Sequence, residues 1–190
     1  MVAVMPRRRA VRESQRGRLL DAIGDAVARR GYPNANVADA IAIAGVSRKT
    51  FYEHFRDKED CFLAAYQAVC ERLLERMVEA GAGQPPGPAR RRAMLDRFLH
   101  GLASDPLGAR VFLLEAPGAG PRALRLAARL DARFAEAFLG DVADGVTRTA
   151  ITGGVNRAVV AELVGRGQAA RLPELLDALA AFVERALVRE

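Results

Sequence analysis

At 190 residues and 51% hydrophobic content, the chain is long enough to bury a core and too apolar to be disordered as a whole. Its net charge of +6 suits a polyanionic partner, although the placement of the cations says more than their number. No apolar run reaches membrane-spanning length, and the Arg-rich start lacks the apolar core of a signal peptide, so no membrane association and a cytoplasmic location are expected.

Residues 1–13 carry Arg7, Arg8, Arg9 and Arg12 with Pro6 and no apolar periodicity, which predicts a flexible basic arm. Such an arm is either a solvated tail or a segment that enters an adjacent minor groove of DNA. From about residue 14 to 30, Leu19, Leu20, Ile23, Ala26 and Val27 recur at helical spacing and Gly31 follows as a stop. This first helix is expected to act as a scaffold, with Tyr32 and Pro33 in the loop beyond it.

The stretch at 36–58 organises the rest. Asn36 is suited to cap a short helix over 37–44 that is almost wholly Ala, Ile and Val. Gly45 supplies a residue able to take positive φ where the chain reverses, and Val46 can tuck into the angle between two helices. Ser47 then caps a second helix on which Phe51 and Phe55, four apart, share a buried face. Arg48, Lys49, Thr50 and Tyr52 are turned elsewhere, so the helix presents donors outward. That pair is a helix-turn-helix whose second helix has the chemistry of a recognition helix. Arg48 and Lys49 could reach guanine O6 and N7, and Thr50 a thymine methyl or a base edge; Lys49 could equally add a phosphate contact. Asn36 and Ser47, at the helix starts, complete the candidate DNA-facing set.

The segment resembles the tetracycline-repressor (TetR) family, whose pattern AGVS followed by FYxHFxxKE is met by Ala44-Gly45-Val46-Ser47, Phe51-Tyr52, His54-Phe55 and Lys58-Glu59. The resemblance covers about residues 18–66; beyond it the chain agrees with the family only in being helical and apolar. It implies that the Tyr52 hydroxyl, the His54 ring and the Lys58 ammonium bond DNA phosphates. Without it, a Tyr or His on a helix is most simply a packed or satisfied group, and Lys58 a solvated one.

Asp57 is suited to cap a long fourth helix to about residue 80, with Glu59 and Asp60 complementing its positive end. Cys61 and Cys70, on that helix, fall on opposite faces about 13 Å apart along the axis and are too far apart to bridge, so reduced structural thiols are expected. Two cysteines and two histidines so scattered suggest no metal set, and no cofactor is expected. The Gly- and Pro-rich stretch 81–88 interrupts helix; its Gly81-Ala82-Gly83 is no nucleotide motif, having no strand before it. Further helices are expected at about 89–103, 106–115, 121–139 and 147–166, with a last one from near Pro173. No strand pattern competes.

The expected fold is therefore all-α with about nine helices: an arm at 1–13, a three-helix DNA-binding domain at 14–60 and a helical regulatory and dimerisation domain at 61–190. The family resemblance implies a homodimer on a palindromic double-stranded operator, through a four-helix interface of the last two helices and their symmetry mates. The other reading is that their apolar faces close a monomeric core. Phe98, Leu102, Phe112, Phe134 and Phe138 are candidates to line a cavity for a small apolar effector that releases the repressor from DNA, although such a stripe also serves as packing. A continuous cavity of roughly 300 Å³ or more between the fifth and eighth helices would separate this from a ligand-independent regulator or an activator with the same head. An enzyme is not expected, because His54 and His100 fall on separate helices without a nucleophile or metal partner.

Overall fold

Leu19, Ala22, Ile23, Ala26 and Val27 are buried along one side of the first helix, the stripe of a helix laid on a core. The computed structural model describes residues 5–140, 143–166 and 169–188, with the side chains of all of these except 5–12, 112 and 166. In it the first helix, α1, spans Met5–Arg30 and ends where Gly31 takes φ 75° and its N–H donates to the Val27 carbonyl at 2.8 Å. The basic stretch expected as a flexible arm is thus helical from Met5 onward. Arg and Ala favour helix, and the packed part of α1 has already met the cost of nucleation that an isolated segment would face. Residues 1–4, and the side chains of Arg7, Arg8, Arg9 and Arg12, lie outside the described part.

Two short helices follow, α2 (Val37–Ala44) and α3 (Arg48–His54), and then the long α4 (Lys58–Ala82). α1 packs on α2, α3 and α4, which closes the three-helix head onto the start of α4. Helix α5 (Pro88–Ser104) returns antiparallel to α4 after a short turn. The Gly-Pro stretch is shorter as a connector than expected, because Gly81 stays inside α4. A Cβ there would come within 2.7 Å of Met94 Cγ on α5, so glycine is what lets the two helices approach at this crossing.

The sixth helix is less regular than its sequence suggested. α6 (Pro106–Arg110) runs into a π-helical turn at Val111–Glu115 and a 3₁₀ turn at Ala116–Gly118. The wider turn spaces its side chains differently from an α-helix, and Pro117 lacks the donor that would continue it. α7 (Pro121–Leu139) buries Ala123, Leu126, Ala127, Leu130, Phe134 and Phe138 against α4, α5 and α8 (Gly145–Arg166). α8 opens two residues ahead of Thr147, where Asp144 accepts from the N–H groups of Val146 and Thr147 at 2.9 and 3.0 Å. Pro173 falls in a 3₁₀ segment, Ala169–Leu175, so the last helix, α9, is only Leu176–Leu187.

The fold is all-helical, nine α-helices among the described residues. One buried apolar cluster runs from Leu19 through Phe62 and Phe98 to Val183. Among the described residues the one buried charged side chain is Arg91 on α5, 7% exposed, which donates twice to Glu184 of α9 at 2.7 and 2.6 Å. No described helix is long and apolar enough to cross a membrane.

Candidate nucleic-acid interface and the cavity of the helical body

Caps set the head's geometry. The Asn36 side chain accepts from the Asp39 N–H at 3.0 Å and the Asp39 carboxylate accepts from the Asn36 N–H at 3.0 Å, a reciprocal box that starts α2. Gly45 closes it in the left-handed region, φ 62°, with its N–H returned to the Ile41 carbonyl. Ser47 Oγ accepts from the Thr50 N–H at 3.0 Å and lies 2.9 Å from Thr50 Oγ1, which starts α3 and holds the Thr50 hydroxyl against its own cap.

Phe51 is fully buried and Phe55 4% exposed, with ring centroids 5.8 Å apart, so α3 is pinned from behind. Its other side is open. Arg48, Lys49, Tyr52 and Glu53 are exposed and Thr50 and His54 half-buried. The Arg48 guanidinium lies 5.6 Å from the centre of the Tyr52 ring, whose residue is 48% exposed. The His54 ring sits beside Phe55, 6.2 Å between centroids.

Lys58 is placed differently from the rest. Its ammonium donates to the Tyr32 carbonyl at 2.8 Å and stands 4.2 Å from the centre of the Tyr32 ring. Tyr32 in turn packs on Phe62 of α4, 4.8 Å between centroids. Burial, with the neighbouring carboxylates of Glu59 and Asp57, raises its phenol above the ordinary tyrosine range. From the body, Glu115 of the π-helical turn accepts from the Tyr32 N–H at 2.9 Å, and Arg122 of α7 pairs with Glu59 of α4 at 2.9 Å. Head and body thus meet around the α1–α2 loop. By sequence alone Tyr32 is only a loop residue. Nothing local announces a bond between residues 83 positions apart.

In the body, a cavity of about 120 Å³ opens between α4, α5, α7 and α8. Phe98, Phe134 and Phe138 line it, as do Met77, Leu95, Asp131, Thr149, Thr152, Gly153, Val155 and Asn156. Leu102, expected in its wall, is instead packed in the core one turn farther along α5, 3% exposed. The Phe112 side chain lies outside the described residues. The polar members come from α8 and from Asp131 on α7, outside the aromatic stripe. The volume falls short of the roughly 300 Å³ that a drug-sized ligand occupies.

Cys61 and Cys70 are both buried and free, and burial pushes each thiol up to about 12, so neither is a ready nucleophile. Among the described residues no group of three or more His, Cys, Asp or Glu side chains is placed to hold a metal ion.

Comparison with known proteins places the open face of α3 in context. Residues 19–65 match the family model described as bacterial regulatory proteins, tetR family. The HTH-type transcriptional activator FasR of Mycolicibacterium smegmatis is 30% identical over 103 residues, 54% of this chain and 47% of that protein. The chain therefore spans about half the length of this curated relative. Three solved structures cover nearly the whole chain. The fatty acid degradation regulator FadR of Bacillus halodurans has a TM-score of 0.81 at 19% identity, over 93% of this chain and 97% of its own. FadR of Bacillus subtilis, in complex with stearoyl-CoA, has 0.77 at 20%, over 90% and 98%. The multidrug binding protein EbrR, complexed with imidazole, has 0.70 at 22%, over 92% and 90%. At these identities the likeness to the solved structures is one of fold.

Proposed function

We infer that this chain, a member of the TetR family by its residues 19–65, is a transcription regulator that grips double-stranded operator DNA with α3 and answers to a small molecule in its body. The observation that carries the reading is the division of α3 into a buried Phe51–Phe55 side and an open side bearing Arg48, Lys49 and Tyr52. A helix so held can enter a major groove, with Arg48, Lys49 and Thr50 toward base edges and Tyr52 and His54 toward phosphates. Asn36 and Ser47 act in this reading chiefly by fixing the helix starts that aim those donors. Lys58 keeps two further N–H donors after its bond to Tyr32, enough for one phosphate beside the start of α4.

A palindromic operator needs two heads about 34 Å apart, and hence a two-fold dimer. Val146, Ala150, Gly153, Arg157, Ala161 and Val164 form an exposed stripe along α8 at spacings of three and four. Val146 and Val164 are 81% and 64% exposed. Apart from Arg157 these side chains are small or apolar, a register that favours close helix–helix contact and supports α8 as part of a homodimer surface formed with α9. In the repressor version, an effector in the body favours a head spacing that no longer fits successive grooves, and the operator is released. FasR, an activator by name, together with the modest cavity volume, favours a second version in which the same head works as an activator or without a ligand.

The test is anisotropy titration of labelled DNA flanking the coding region. Binding is expected to weaken steeply with salt, and Arg48→Ala and Tyr52→Phe to weaken it further. Wild-type affinity in both variants would remove α3 from the interface.

A further inference from the structure

We propose that the cavity between α4, α5, α7 and α8 takes a small organic cation of about one ring's size, with Asp131 as its counter-ion; the proposal rests on reading the body as a sensor. Among the described residues, Asp131 is the one ionisable side chain in the lining, and no Lys, Arg or His joins it. It stands at the mouth, reached by solvent on one side, while the opposing walls are apolar. Phe98 and Phe134, both in the lining, meet with centroids 6.3 Å apart and planes at 66°, so aromatic rings stand in the same cavity as the carboxylate.

The remaining polar groups point to the same charge. The Thr149 hydroxyl donates to the Gly145 carbonyl and the Thr152 hydroxyl to the Arg148 carbonyl, each at 2.8 Å. With their protons committed to α8, both oxygens offer the cavity only lone pairs. The lining therefore accepts from a ligand at Asp131, Thr149 and Thr152 and donates to it only through the amide of Asn156. A carboxylate or phosphate ligand asks for the reverse. Burial also lifts the Asp131 carboxyl above its ordinary range, a strain that a bound cation would relieve.

Size narrows the class. A volume of about 120 Å³ is well under that of a drug-sized site. It is close to the roughly 150 Å³ apolar cavity known to accept benzene. One ring with an ammonium group fits these limits, whereas a long acyl chain does not.

The experiment is calorimetric titration of the full chain with three probes of equal size: benzylammonium, benzyl alcohol and benzoate. Benzylammonium should bind, benzoate should not, and Asp131→Asn should weaken the cation at least tenfold while leaving benzyl alcohol unchanged. Equal binding of benzoate, an Asn variant that keeps its affinity for the cation, or binding of none of the three overturns the proposal. Operator binding is measured on the same samples. Loss of probe binding with intact DNA binding defeats the cation site alone, and cation binding without DNA binding defeats the regulator reading alone. An unchanged thermal melt for Asp131→Asn, or one moved upward, establishes that the variant is folded.

Discussion

Replacing Lys58 with methionine separates two roles for one ammonium. In the structure it donates to the Tyr32 carbonyl at 2.8 Å and lies 4.2 Å from that ring's centre, tying the start of α4 to the α1–α2 loop. A charge-assisted hydrogen bond contributes roughly 1.5–3 kcal/mol and a cation–π contact at an exposed site roughly 0.5–1 kcal/mol. Methionine keeps most of the apolar stem against Tyr32, and the half-buried site admits water to the freed carbonyl. The expected loss is therefore only about 1–2 kcal/mol. With a urea dependence of about 2 kcal/mol per molar, the denaturation midpoint should fall by roughly 0.5–1 M. The second role is read on DNA. If Lys58 also meets a phosphate, the slope of log affinity against log salt should become shallower by about 0.9. An unchanged midpoint would refute the account of the Tyr32 contact. An unchanged slope would refute the phosphate role and leave the lysine a structural tie between α4 and the loop.

Other consequences are as concrete. Ser47→Ala removes the acceptor for the Thr50 N–H and should cost about 1 kcal/mol in thermal or urea melts. Ser47→Asp should keep the cap and the stability yet weaken operator binding by gel shift, because it sets an anion toward the duplex. The Arg91–Glu184 pair should respond unequally. Glu184→Ala removes the carboxylate that takes two bonds from a buried guanidinium and should cost up to the ~3–5 kcal/mol of a broken buried pair, whereas Arg91→Met leaves a carboxylate that water reaches and should cost less. Equal losses in urea melts would contradict that reading. Cys61 and Cys70 should resist Ellman's reagent at pH 8 in the native protein and react together in denaturant, since burial holds both thiols up to about 12. Finally, Asp131 has a raised folded pKa, so the native chain retains a proton that the unfolded chain has lost, and stability declines as pH rises from the ordinary carboxylate range through the folded value. Asp131→Asn should match the wild type in melting temperature below that window and exceed it above; a difference that stays flat with pH would show that the carboxyl is not desolvated.

The head was legible from the chain alone because its signals act within a few residues. Asn36, Gly45 and Ser47 each bond a backbone group three or four positions away, and Phe51 and Phe55 meet across a single turn, so type and spacing suffice. The same holds for the all-helical class and for most helix bounds, with exceptions where a distant partner intervened. Gly81 stays within α4, where Met94 of the neighbouring helix packs into the space a Cβ would fill. The body's cavity was half visible: an aromatic stripe names Phe98, Phe134 and Phe138. Whether that stripe faces a void or a neighbour depends on what α8 brings opposite it, which is why Leu102 went to the core and Asp131, Thr149 and Thr152 to the lining. Tertiary structure alone decided the long-range polar ties, the joint between head and body among them. Lys58 and Tyr32 are 26 positions apart, Tyr32 and Glu115 are 83, and Arg91 and Glu184 are 93. At such separations no periodicity links the partners, and only the packed core determines which charge reaches which backbone group.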